Sequence, residues 1–176
     1  MSETTAAVTR MADDDDQAAS DLAAWQARVA GANINAQTLL ATDYLNHFNE
    51  IVMLLGMVPD MPDILGECKE WAPKSYQDHF RDSSFRDKEL AVDAYDHVPQ
   101  RFRQPFEETI SHMNDLVAQS IDRLEDALAQ DDADLLRGRA HAASHAIQRL
   151  MDFASAIIHG NDRAMDQDAI DTLMGF

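Results

Sequence analysis

Asp115 and Gln119 are the residues whose types and spacing suit chemistry most directly. They stand four apart, so on a helix their side chains leave neighbouring turns of one face. At 100° per residue that face lies opposite the apolar stripe of the same segment, and both side chains point at one spot in solvent. A carboxylate pairs with a lysine of a docking partner. A carboxamide both donates and accepts hydrogen bonds, which suits it to hold one water in line with a phosphoryl group. Phosphoryl transfer is catalysed largely by positioning, and a water-orienting glutamine is a recurring part of it. The spacing by itself is common in so acidic a chain, recurring at Asp13/Gln17, Asp96/Gln100 and Asp126/Gln130. Solvated polar residues on an outer helix face are the plain alternative.

Histidines offer a second chemistry. His141 and His145 are also four apart, a spacing that can chelate a metal. His47, Glu50, His112 and Asp115 would complete a carboxylate–histidine site in a bundle core, as in hemerythrin-like or ferritin-like proteins. Helix periodicity opposes this: His141 and His145 fall away from Leu136, Ile147 and Leu150, whereas bundle metal sites project inward. The expectation is therefore no metal or cofactor of the protein's own. An exposed histidine also suits phosphotransfer.

The third feature is the ending, Asp168-Ala169-Ile170-Asp171-Thr172-Leu173-Met174-Gly175-Phe176. Ile170, Leu173 and Met174 share one helical face. Asp166, Asp168 and Asp171 place negative charge in or just before the first turn, where it suits the helix dipole. So short a segment is marginal as a free helix. It would gain order by laying its apolar face in a partner's groove, or by packing back on its own bundle.

These residues need helices to hold them. Phe106, Ile110, Met113, Val117, Ile121, Leu124 and Leu128 form a 4-3-4-4-3-4 stripe, predicting a helix over about 100–129. Asp131-Asp132 mark a turn. Leu136, Ala143, Ile147, Leu150, Ala154 and Ile158 then predict a helix over 132–159. An earlier helix is expected over 20–57, capped by Ser20 and striped by Leu22, Trp25, Val29, Leu40, Tyr44, Ile51 and Leu54. Gly31 interrupts it, and Pro59 and Pro62 end it. Residues 58–100, punctuated by Pro59, Pro62, Pro73 and Pro99 and rich in aromatics, suggest short helices around 63–71, 75–82 and 86–95 packed on the bundle. The expected organisation is a disordered acidic tail over 1–19, a helical bundle over 20–159, and a linker with a docking peptide over 160–176. The fold class is all-α: long antiparallel helices, a short-helix insertion and a C-terminal peptide helix. A hairpin that dimerises into a four-helix bundle is equally permitted.

Composition limits the partners. The 176 residues carry 32 acidic and 14 basic side chains, a formal net charge of −18. Such a surface repels phosphate backbones and anionic lipid, which argues against nucleic acid and membrane surfaces. No run of 18 apolar residues is present, so no membrane span is expected. No basic-then-apolar leader opens the chain. Cys68 is the single cysteine, which excludes an internal disulfide and a cysteine-based zinc site. A cytoplasmic location is expected.

Two stretches carry a family resemblance. Asn114-Asp115-Leu116-Val117-Ala118-Gln119-Ser120-Ile121-Asp122-Arg123 resembles the Gln-Asp-Leu-Thr-Gly-Gln-x-Ile-x-Arg pattern of the chemotaxis phosphatase CheZ family. The matches are Asp115, Leu116, Gln119, Ile121 and Arg123. Gln167–Phe176 resembles that family's acidic, amphipathic ending in Gly-Phe, and is similar to the peptide with which flagellar switch proteins bind the same regulator. The resemblance implies a role in chemotaxis and flagellar motility. The tail, through Asp168, Ile170, Asp171, Leu173, Met174 and Phe176, would tether a phosphorylated response-regulator receiver domain. Asp115 would contact the receiver's lysine and Gln119 would orient the attacking water. Mg²⁺ would sit on the receiver. Separately, Ala140-His141-Ala142-Ala143-Ser144 resembles the Ala-His-x-Leu-Lys-Gly-Ser pattern of histidine phosphotransfer proteins. A non-catalytic adaptor and a metal-binding bundle remain the competing readings.

Overall fold

The computed structural model describes residues 2–163 and 167–175, with side chains for 16–163 and 168–175. Among these residues the chain is all-α, with eight α-helices and no strand: α1 Ser2–Val29, α2 Asn46–Met57, α3 Leu65–Glu70, α4 Tyr76–Asp82, α5 Lys88–Tyr95, α6 Gln100–Ala129, α7 Ala133–Ile158 and α8 Gln167–Met174. Short 3-10 turns at Thr42–Leu45 and Pro62–Ile64 lead into α2 and α3. No helix among the described residues is long and apolar enough to cross a membrane.

The spine is the hairpin of α6 and α7, with α2 laid across α7. Its turn is built by two aspartates. Asp131 takes the left-handed conformation at φ 53°, and the Asp132 carboxylate accepts a 2.8 Å hydrogen bond from the Leu135 amide, capping α7. Met113, Leu116 and Leu124 of α6 meet Leu136, Ala143 and Ile147 of α7 in one fully buried core. Ala140, Ala143, Ala146 and Ala154 keep the contacting face of α7 small, so backbones approach closely. The buried hydroxyls of Thr109 and Ser120 donate to the carbonyls four residues back, at 2.7 and 2.6 Å. Neither hydroxyl is left as an orphan donor in the core.

The expected single helix over 20–57 is corrected. α1 begins at Ser2, so Ser20 lies inside it and caps nothing, and the backbone of the segment expected to be a disordered tail is helical. Alanine at 6, 7, 12, 18 and 19 gives that stretch high helix propensity. α1 stops at Val29 because Gly31 turns left-handed at φ 81°. The Asn35 side chain then accepts from the amides of Gln37 and Thr38. Asn35 and Leu39–Leu40 exchange two 2.8 Å backbone hydrogen bonds, which hold Leu39 at φ 62°. This loop is sealed to the end of α7 by the Thr38 hydroxyl, which donates to the Ile158 carbonyl at 2.6 Å.

The insertion follows its expected pattern. α3, α4 and α5 are short and separated by proline or serine breaks, and their aromatics cover one side of the bundle. Tyr76 stacks on Tyr95 at 4.6 Å, edges onto Phe106, and accepts a hydrogen bond from the Ala41 amide at 2.8 Å.

Candidate functional site

Asp115 and Gln119 project from the middle of α6 into solvent. The helix is held from behind by Met113, Leu116, Val117 and Ser120, all buried. The two side chains therefore ride on a packed element rather than a loop, and the i, i+4 geometry puts them over one patch. Both flanks of this ridge are built. On one side, Trp71 and Pro73 from the extended segment after α3 face Val117, Ala118 and Ile121 across a groove of about 250 Å³, with Lys69 and Asp122 at its rim. Lys69 is paired with Glu125. Asn114, one residue before Asp115, lines the same groove, and its side-chain oxygen is buried without a hydrogen-bond partner.

On the other side stands Arg123, four residues beyond Gln119. Its guanidinium donates to the Met174 carbonyl at 3.4 Å, and its own carbonyl accepts from Arg139 at 2.6 Å. This contact brings α8 to the bundle. Ile170 is buried, and Leu173 and Met174 pack against the core. Asp168, Asp171 and Thr172 face solvent. The helix is closed by the Gly175 amide on the Asp171 carbonyl at 2.9 Å. The structure therefore seats the tail on α6 at Arg123, about one turn beyond Gln119. The apolar face expected to meet a partner rests on the protein's own bundle. Phe176, and residues 164–166 of the expected linker, lie outside the described residues.

The histidines are not brought together. His141 and His145 are exposed on the outer face of α7, as their periodicity predicts. Glu50 and Asp115 are exposed and His112 is half-buried, so the carboxylate–histidine set does not converge. No group of three His, Cys, Asp or Glu side chains placed to hold a metal occurs among the described residues. His47 instead stacks on Trp71 at 4.6 Å, while the Trp71 indole donates to the His47 carbonyl at 3.2 Å. Burial, reinforced by nearby His79 and Lys74, pushes the His47 imidazole down to about 4, and its Nε2 is buried without a partner. His79 pairs with the Asp43 carboxylate at 3.3 Å. Burial pushes the Cys68 thiol up to about 11, so it is a packed, unreactive side chain at neutral pH.

Sequence reasoning missed Asn114 and the place of Arg123. Asn114 carried only a motif position as its signal. Arg123 was part of the pattern, but its contact spans 51 residues of sequence, beyond the reach of local periodicity.

No protein-family model, curated protein or solved structure matches the chain.

Proposed function

We propose that this protein binds a phosphorylated response-regulator receiver domain and promotes hydrolysis of its aspartyl phosphate. The observation that carries the reading is the pair Asp115 and Gln119, exposed together on a rigid helix, in a motif resembling that of the CheZ family and in a chain whose ending resembles that family's docking peptide. Asp115 supplies a carboxylate for the receiver's lysine. The Gln119 carboxamide accepts from the attacking water with its oxygen and donates toward the phosphoryl oxygens with its nitrogen. Water oxygen bonds to phosphorus, the bond to the aspartyl oxygen breaks, and the products are the receiver's free carboxylate and inorganic phosphate. Positioning is the whole contribution of these residues, because the receiver supplies the phosphoryl group and holds its own Mg²⁺.

The geometry of the hairpin supports a tethered mode. α7 runs antiparallel to α6, so Ile158 lies level with the first turns of α6, roughly 15 Å along the axis from Asp115 at 1.5 Å per residue. Residues 159–166 extend at most about 28 Å. A receiver held by the tail thus stays within reach of Asp115 and Gln119, at high effective concentration.

The test is dephosphorylation of chemotaxis receiver domains with Mg²⁺, comparing the wild type, Gln119→Ala and a chain lacking residues 166–176. The wild type is expected to accelerate phosphate loss. Gln119→Ala is expected to lose about 100-fold of that acceleration while still binding, in line with removal of one positioned polar group. The truncation is expected to raise the concentration needed. Tail-dependent binding with no acceleration would leave a non-catalytic adaptor in its place.

A further inference from the structure

We infer that α8 has two mutually exclusive seats, and that in the resting protein it occupies the one on its own bundle. The identity of the second seat, a receiver domain, rests on the function proposed above. The first seat is described directly: Ile170 is buried, Leu173 and Met174 lie on the core, and the Met174 carbonyl receives the Arg123 guanidinium. A peptide of eight residues is marginal as a free helix, so its order comes from what it rests on.

The two seats compete for two physical reasons. The first is that α8 has a single apolar face. Asp168, Asp171 and Thr172 form its solvent side, so a partner that takes Ile170 and Leu173 must remove them from the bundle. The second is position. Arg123 follows Gln119 by four residues, which is about 6 Å along α6 with a rotation of about 40°. A partner domain covering about 800 Å² per side extends far beyond one helical turn. A receiver placed with its phosphoryl group over Gln119 therefore covers Arg123 as well. Engagement of the Asp115/Gln119 face and self-docking of the tail exclude one another.

The bundle seat is suited to release. It buries Ile170 and half-buries Ala169, Leu173 and Met174, while Asp168 and Asp171 remain exposed. Held by a short covalent tether, so small a contact closes through effective concentration. Closure lowers the tail's apparent affinity for any partner by the fraction of time it is seated. A partner that binds the tail and then reaches Gln119 clears the site as it arrives.

The experiment is ¹⁵N NMR of the full chain against the same chain ending at Arg163, each titrated with a beryllofluoride-activated chemotaxis receiver domain in Mg²⁺. Truncation is expected to shift amides around Gln119–Leu124. Adding receiver to the full chain is expected to move the α8 amides to new positions as the tail leaves its seat. Arg123→Ala, which loosens the seat and leaves the tail intact, is expected to tighten receiver binding roughly three- to tenfold. An arginine with only a structural role would leave the affinity unchanged or lower it. Identical bundle spectra for the full and truncated chains would overturn the inference, as would receiver binding that leaves α8 seated. If truncation shifts the bundle but no receiver binds, the self-docked seat stands and the receiver reading falls.

Discussion

At the scale of single residues, packing on α6 leaves some side chains to solvent and traps others. Asp115 and Gln119 stay exposed because the helix turns Leu116 and Ser120 inward beside them. His47 is the opposite case. Its imidazole is pressed against Trp71 and depressed from 6.5 to about 4, chiefly by burial. The unfolded chain then binds a proton between these values that the folded chain refuses. The stability this contributes is complete above about pH 6.5 and is lost as pH falls toward 4. Urea unfolding across that range is expected to show His47→Phe, which keeps a ring on Trp71, with an acid limb flatter by about 1–2 kcal/mol, allowing for partial exposure. Cys68, buried with its thiol raised to about 11, is expected to resist an alkylating reagent at pH 7.5 in the folded protein and to react once urea unfolds it.

At the scale of elements, the hairpin of α6 and α7 positions everything else. Leu124 is fully buried between the two helices near their turn. Leu124→Ala is expected to lower unfolding free energy by about 2–5 kcal/mol, measured by urea denaturation. The cap at the start of α7 is smaller in effect. Asp132→Ala removes the acceptor for the Leu135 amide and is expected to lower stability by about 1 kcal/mol. These elements were the legible part of the sequence. Apolar spacing named α6 and α7 nearly to the residue, because a stripe of period 3.6 is a local property. Proline punctuation named the short helices α3, α4 and α5, and apolar spacing named α8. Between Val29 and Thr42 the same reasoning carried a helix through a loop. Gly31 was the visible sign of the break, but the hydrogen bonds that make the loop stable join Asn35 to Leu40 and Thr38 to Ile158. The second of these crosses 120 residues.

At the scale of the whole molecule, net charge governs how the fold responds to its solution. A net charge of −18 on 176 residues opposes compaction through self-repulsion. The ion pairs among the described residues lie at the surface, with Asp87, Arg103 and the His79–Asp43 pair partly covered, and offset little of it. Thermal unfolding is expected to move to higher temperature as sodium chloride rises from about 20 to about 300 mM, because the Debye length shrinks below the spacing of surface charges. The same charge repels phosphate backbones and anionic lipid headgroups electrostatically.

The all-α class, the hairpin, and the pairing of Asp115 with Gln119 on its outer face followed from the sequence alone, since each depends on residues within a few turns of one another. The end of α1, the stacking of His47 on Trp71, the orphaned oxygen of Asn114 and the seat of α8 against Arg123 were decided only by the tertiary structure. Each depends on which surfaces meet when distant elements pack. Periodicity tells which face of a helix is buried, and only the assembled core tells what it is buried against.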